Sequence, residues 1–518
     1  MKKLISILLC ALLAVGFCFG ITACKSKTPG VTDGGEVTEN TLTIRHFNFG
    51  YGTEWLVSAL ESYKAEHEGF TYKLIPDSTI TDTITTYLKS GKNLSDIYIT
   101  QGGLWSEWVS QGYLANLSSV YETEVQTSEG MRTIADYMDD ELVSRFYMQK
   151  YAGQGDYLPW VMPLGSISCS LVYNEEILLA TPHTTASADG KWEVGETWTA
   201  PPETVSELLA YCTDLNARKI TPLAWAGLES HWLKFLMYVW FAQYQGVHEE
   251  NLLNVSEGDG SYYDFWNFGS ADVWKMEGIQ KAIETVQSVF VDTSTGKWKN
   301  TLGGVNEYTT QDAERQFVSG NTAMLLGGSF FYTEMEDYIE KDVFKMMQLP
   351  AIENAEKNED GSVKTMTFYS TDEIMLVPAK ANNVELAKDF LAYLCHEENM
   401  LKFTQSSGTM RPFEYDALAL SGDDYEWNAF TESVLGMYND SDVRLYAYPA
   451  GTANDEVSLI YRYKEPDLEG TQVWETFLSA LKTMTPSQIM VTGSGNYTSV
   501  YDITAPEFAK WKIELGIE

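Results

Sequence analysis

Residue types that could do covalent or metal chemistry are sparse and scattered in this sequence. Cys169, Cys212 and Cys395 stand far apart, with no CxxC or metal-type spacing, and read as small buried hydrophobes. Six histidines include no HExxH or paired spacing, so no zinc site is expected. No Walker loop, GxGxxG or GxSxG element falls in a strand-turn-helix context, which removes support for nucleotide binding and for hydrolase chemistry of those kinds. The run from Asp259 to Asp264 offers calcium-like acids but fails the EF-hand pattern and reads as turn chemistry. Neither a metal nor a cofactor is expected. Rings are in surplus: the chain is 13% aromatic, with 15 Trp and 31 Tyr, many beside Gly, Ser or Asp. Such rings suit flat polar ligands such as sugars, whose C–H faces stack while their hydroxyls take hydrogen bonds.

Charge narrows the partners further. With 73 Asp and Glu against 35 Lys and Arg, the net charge is −38. Nucleic acid and anionic lipid both demand a basic surface, so neither is an expected partner. The N-terminus has Lys2 and Lys3, an apolar segment from Leu4 to about Phe19, then Ile21-Thr22-Ala23-Cys24. That order is a secretory signal, too short for the roughly 20 residues a membrane span needs. The last four residues resemble a bacterial lipobox, which implies that residues 1–23 are removed and that the Cys24 thiol carries lipid. Residues 24–40 are polar and without periodicity, a flexible tether. The remainder is long enough for two to three domains.

The elements that must position the rings alternate in type. Thr41 to Ile44 reads as a strand, Trp55, Leu56, Ala59, Leu60 and Tyr63 as a helical stripe, and Phe70 to Ile75 as a second strand. A helix stopping at Gly91 leads to a strand over Asp96 to Thr100, and Trp105 opens the next helix. Gln101 therefore lies at a strand's C-terminal end, where open α/β sheets bind ligands. In RQFVSGNTAMLLGGSFFYTEM, Arg315 to Met335, Ala313 and Phe317 share a helix face and Gly320 suits a left-handed helix stop. Ala323 to Leu326 suits a buried strand. Gly327 and Gly328 are expected to let the chain leave the sheet, or to admit a ligand, just before Ser329 and Phe330.

Five segments in order resemble the extracellular solute-binding proteins of family 1, the carbohydrate receptors of ATP-driven importers. They are SDIYIT with GYLANLS, YLPWVMPLGSISCSLVYNEEIL (Tyr157 to Leu178), WTAPPETVSELLAYCTDLNARKITPLAWAG, the Arg315 stretch, and AKDFLAYLCHEENMLKFTQSSGTMRPF. The resemblance covers most of residues 41 to about 415. It implies an α/β, two-lobed periplasmic-binding-protein-like fold of type II, with mixed sheets flanked by helices and a hinge between lobes. Lobe one is expected over 41–162 with 366–412, and lobe two over 163–365 with 413–518. Crossings are expected near Met162 to Ser166, near Pro350 to Met366, and after Pro412. The region after Trp474 and the stretch Gly258 to Phe268 depart from the family.

Position in the resemblance points to ligand contacts from His46, Asn48, Gln101 and Trp105 in lobe one. From lobe two come Trp225, Glu229, His231, Trp232, Ser329 and Phe330, and Tyr369, Ser370 and Asp372 precede a lobe-one strand. The function implied is a monomeric, lipid-anchored receptor outside the cytoplasmic membrane that takes an oligosaccharide and delivers it to an ABC transporter permease, with no bond broken. Two other readings stay open. A secreted glycoside hydrolase would also be acidic and ring-rich and needs two carboxylates across a cleft. A receptor for an amino acid or polyamine would need an acid or Arg clamping charge.

Overall fold

A computed structural model describes residues 38–47, 50–102, 105–143, 146–150, 155–229, 231–247, 260–267, 270–423, 425–446 and 472–515. The lipobox, Cys24 and Asn48 lie outside the described residues. In chain order the strands that matter are β1 (Thr41–His46), β2 (Thr71–Pro76), β3 (Ile97–Gln101), β4 (Met162–Pro163), β5 (Ile167–Asn174) and β6 (Thr221–Ala224). They continue with β7 (Thr322–Gly328), β8 (Phe344–Met347), β9 (Met366–Ser370), β10 (Glu373–Leu376) and β11 (Val443–Tyr446).

The first sheet has the order β2-β1-β3-β10-β4. Its β1, β2 and β3 are parallel, and β10 runs antiparallel to both β3 and β4. Parallel strands need crossovers, and helices Glu54–Glu66 and Ile80–Ser90 supply them. The second of these stops at Gly91, left-handed at φ 60°, where the sequence asks for a stop. Asp96, buried at the edge of β3, accepts from Thr43 N and Oγ1 at 2.8 and 2.6 Å and from Asn383 N at 2.9 Å, so burial leaves its carboxylate fully bonded.

The second sheet has the order β6-β7-β5-β9-β11, with β8 also on β5. Over its eight residues, β5 takes β7 along one edge, while β8 and β9 share the other. Paired on both edges, β5 is buried along nearly its whole length, Ser168 and Ser170 included. The helix Thr310–Val318 before β7 carries a capping box at Thr309 and Asp312 and ends at Gly320, φ 74°.

Sheet membership changes at three places, and the structure moves one of them. Leu164 to Ser166 joins β4 to β5, within the expected crossing. The crossing expected near Pro350 to Met366 falls instead at Thr371 and Asp372. There β9, still paired with β5 and β11 in the second sheet, passes into β10 of the first. The strand 366–370 looked like first-lobe sequence because only three-dimensional pairing says which sheet an apolar strand joins. The third passage follows helix Glu397–Ser407 and leads to helix Ala429–Asp440. The C-terminal segment packs on helix Glu277–Phe290 and its neighbourhood. Gln287 Nε2 donates to Leu481 O and Met484 O at 2.8 and 2.7 Å, and Trp274 Nε1 to Thr504 Oγ1 at 2.9 Å.

Candidate functional site

Where the strand ends of the two sheets face each other, the chain after β1 meets the chain after β7. A Cβ built on Gly50, which has φ 83°, would lie 3.1 Å from Glu334 Oε1 and 3.6 Å from Phe330 Cβ. The two lobes thus touch across a residue with no side chain, and a side chain there would need Glu334 to give way and a backbone conformation that L residues rarely adopt.

The GGSFF turn is built differently from its expectation. Gly327 and Gly328 do not leave the sheet: both are strand residues, in register with Ser170 and Cys169. Gly328 is needed for space, since a Cβ there would lie 2.7 Å from Phe330 Cε1 and 3.0 Å from Ile167 Cγ2. The Phe330 ring folds back over its own strand end, half-buried, with Trp232 beside it at 5.9 Å between ring centroids. Trp232 is 4% exposed and gives Nε1 to Thr310 Oγ1 at 2.9 Å. Buried in this way, Trp232 is a support behind Phe330 and not itself an exposed ligand contact. Ser329, expected to offer its hydroxyl to a ligand, is buried and shares it with Thr409 Oγ1 at 3.0 Å.

Glu229 holds the N-terminus of helix Thr310–Val318, accepting from Thr310 N at 3.0 Å and from its hydroxyl. Behind it lies a group absent from the sequence-based candidates. Glu314 is 0% exposed, neither of its carboxyl oxygens has a hydrogen-bond partner among the described residues, and the Glu334 and Glu229 carboxyl groups lie close enough to act on it as like charges. Burial first, then the Glu334 charge and then Glu229, push Glu314 up to about 9, so it holds a proton at neutral pH. Glu334 is raised as well, mainly by burial. A signal existed: Glu314 and Phe317 are three apart on a helix whose Ala313 and Phe317 are buried, so the acid had to point inward.

The remaining candidates divide by exposure. His46, closing β1, is buried and held neutral, its pKa lowered to about 4 by desolvation. Gln101 closes β3 and is exposed, and Trp105 opens helix Trp105–Ser110, half-buried, with its ring 6.4 Å from Phe146. Asp372 is exposed in the second crossing and accepts from Ser370 Oγ at 3.2 Å. His231 is the first residue of helix His231–Gln245. Two candidates are core residues. Trp225 is 0% exposed, edge-on to Trp298 and Phe290 at 5.1 and 6.1 Å. Tyr369, 1% exposed, lies between Tyr438 and Tyr446. In both cases neighbouring rings enclose the side chain, which leaves no exposed face for a ligand.

The model of the bacterial extracellular solute-binding protein family matches residues 58–432. The chain belongs to that family. Its members bind solutes rather than transform them, so the solute-binding protein described here is not an enzyme. No curated relative matches the sequence. Among solved structures, its fold is similar to that of SBP RafE in complex with raffinose, at 13% identity over 92% of this chain and 99% of that one, TM-score 0.56. It is also similar to maltose-bound T. maritima MalE3, at 16% identity over 92% and 99%, TM-score 0.53. A structure from a study of xylan utilisation by Caldanaerobius polysaccharolyticus matches at 15% identity over 90% and 99%, TM-score 0.56. The solute-binding protein thus has the two-lobed fold of these receptors. Residues beyond 432, including the C-terminal helices, lie outside the family match.

Proposed function

We propose that the protein binds an oligosaccharide between its lobes and delivers it to the permease of an ABC importer, while lipid on Cys24 holds it at the outer face of the membrane. The observation that carries the sugar reading is the half-buried Phe330 ring, supported by Trp232 and set beside Glu334 where Gly50 of the other lobe closes over it. A ring face next to a carboxyl group matches the two sides of a sugar, apolar C–H and hydroxyl donor. Raffinose and maltose are bound by two of the structures with a similar fold, which agrees with that reading. In this reading Trp105, Gln101 and Asp372, half-buried or exposed, are the further contacts assigned to the sugar.

A thermal-shift screen of the purified mature protein against a glycan panel tests the proposal, because a ligand bound only to the native state raises apparent stability by mass action. A shift with one or more oligosaccharides, each recovered intact after long incubation, is expected. A shift with an amino acid or polyamine and with no glycan overturns it.

A further inference from the structure

Arg411 is a buried arginine that contacts none of the candidate ligand residues, and its surroundings give it a different task. It is 2% exposed, in the third passage between the sheets. Its Nε donates to Leu164 O at 3.1 Å, Nη2 to Pro163 O at 3.3 Å and Nη1 to Leu394 O at 2.7 Å. Leu394 is the C-cap of helix Val384–Tyr393, so that carbonyl lies at the negative end of a helix dipole. The Phe413 ring stands 5.0 Å from the guanidinium. Carbonyl oxygens, a helix end and a ring face therefore compensate a charge that burial would otherwise make costly.

The same atoms join all three passages at one point. Leu164 N donates to Glu373 O at 2.9 Å, tying the first crossing to the start of β10, while Leu164 O receives Arg411. Ser166 N donates to Met410 O at 2.8 Å, and Arg411 N itself donates to Tyr415 Oη at 3.0 Å. Within this node Gly165 lets the first crossing pass close to Tyr51, since a Cβ on it would lie 2.9 Å from Tyr51 Oη.

We infer that Arg411 is the hinge pin of this protein, a positioning residue that fixes the first-lobe roots of the first and third passages so that bending falls beyond them, between Ser166 and β5 and between β9 and Asp372. Its fork is suited to this because three donors in one rigid plane meet three carbonyls from two segments, which a single ammonium group does not do. A lobe pair with a fixed fulcrum has few open states. Loosening the fulcrum widens the open ensemble and lowers the fraction competent to close, and apparent solute affinity falls by that fraction.

The test needs no ligand. Hydrogen exchange and X-ray scattering are compared for the mature wild-type protein, Arg411→Lys and Arg411→Met. Lysine retains the charge and keeps the fold if methionine does not. In Arg411→Lys the amides of Leu164 and Ser166 should exchange at least tenfold faster, and the scattering distance distribution should broaden, while Val172 and Leu325 in the second sheet keep their protection. Wild-type exchange at 164–166 in Arg411→Lys overturns the proposal, because the fork would then be dispensable. Equal loss of protection in both sheets also overturns it, because Arg411 would then be a core residue.

Discussion

Replacing Glu314 by Gln removes one titrating group at nearly the same size and shape. In the native protein Glu314 is fully buried against two other carboxyl groups and holds its proton up to about 9, against an ordinary value of 4.5. In the unfolded chain it ionises near the ordinary value. Between these two pH values the native state binds more protons than the unfolded one, so this group lowers stability as pH rises, by about 1.4 kcal/mol per pH unit. The loss begins near pH 4.5 and is complete near pH 9, and at pH 7 it amounts to about 3 kcal/mol. The charges around it are Glu334, Glu229 and the partly exposed Arg315, which pairs with Asp312 at 3.7 Å. Urea unfolding of wild type and Glu314→Gln, followed at several values from pH 5.5 to 8, isolates the group, because self-repulsion of the acidic chain acts on both. Expected is a Gln variant that gains on wild type by about 1.4 kcal/mol per pH unit across that range. Parallel curves would refute the reasoning and show Glu314 to be ionised in the native state.

Other outcomes follow from named contacts. Phe330→Ala should weaken binding of any glycan found in the thermal-shift screen by roughly tenfold or more in calorimetry, since truncating an interface aromatic can cost about 2 kcal/mol, while the ligand-free melting temperature stays near wild type. Gly328→Ala should act in the same direction by driving a methyl group into Phe330 Cε1 and Ile167 Cγ2; unchanged binding would mean that the ring's position is immaterial. Trp225→Ala should instead cost about 3–5 kcal/mol of unfolding free energy as a core deletion, and a stable variant with lost binding would return Trp225 to the ligand site. Cys24→Ala should release the protein into the medium or leave it unprocessed, as fractionation and mass measurement would show, and equal membrane retention would count against the lipid anchor.

Element type and order were legible in the residues themselves. The strands 41–46 and 71–76, the helix stop at Gly91 and the helix-stop-strand run around Gly320 follow from periods of 2.0 and 3.6 and from glycines at positions of positive φ. These are contacts between near neighbours, so a short window contains their cause. The order of five such segments also carried the family. Only tertiary structure decided which rings face the cleft and which strand belongs to which sheet. Trp225 and Phe330 both follow buried strands, yet one is sealed by Phe290 and Trp298 and the other stays half-buried beside Trp232, where Gly50, 280 positions earlier in the chain, comes up against its Cβ. Met366–Ser370 joins the second sheet through Ser168 and Cys169, about 200 residues away. Ser329 lost its expected role to Thr409, and Glu314 is pushed toward its protonated form by burial and by the Glu334 charge, through neighbours that no local pattern records. Burial and charge environment are sums over residues brought together by the fold, and periodicity along the chain determines only the face a residue presents, not what will stand against it.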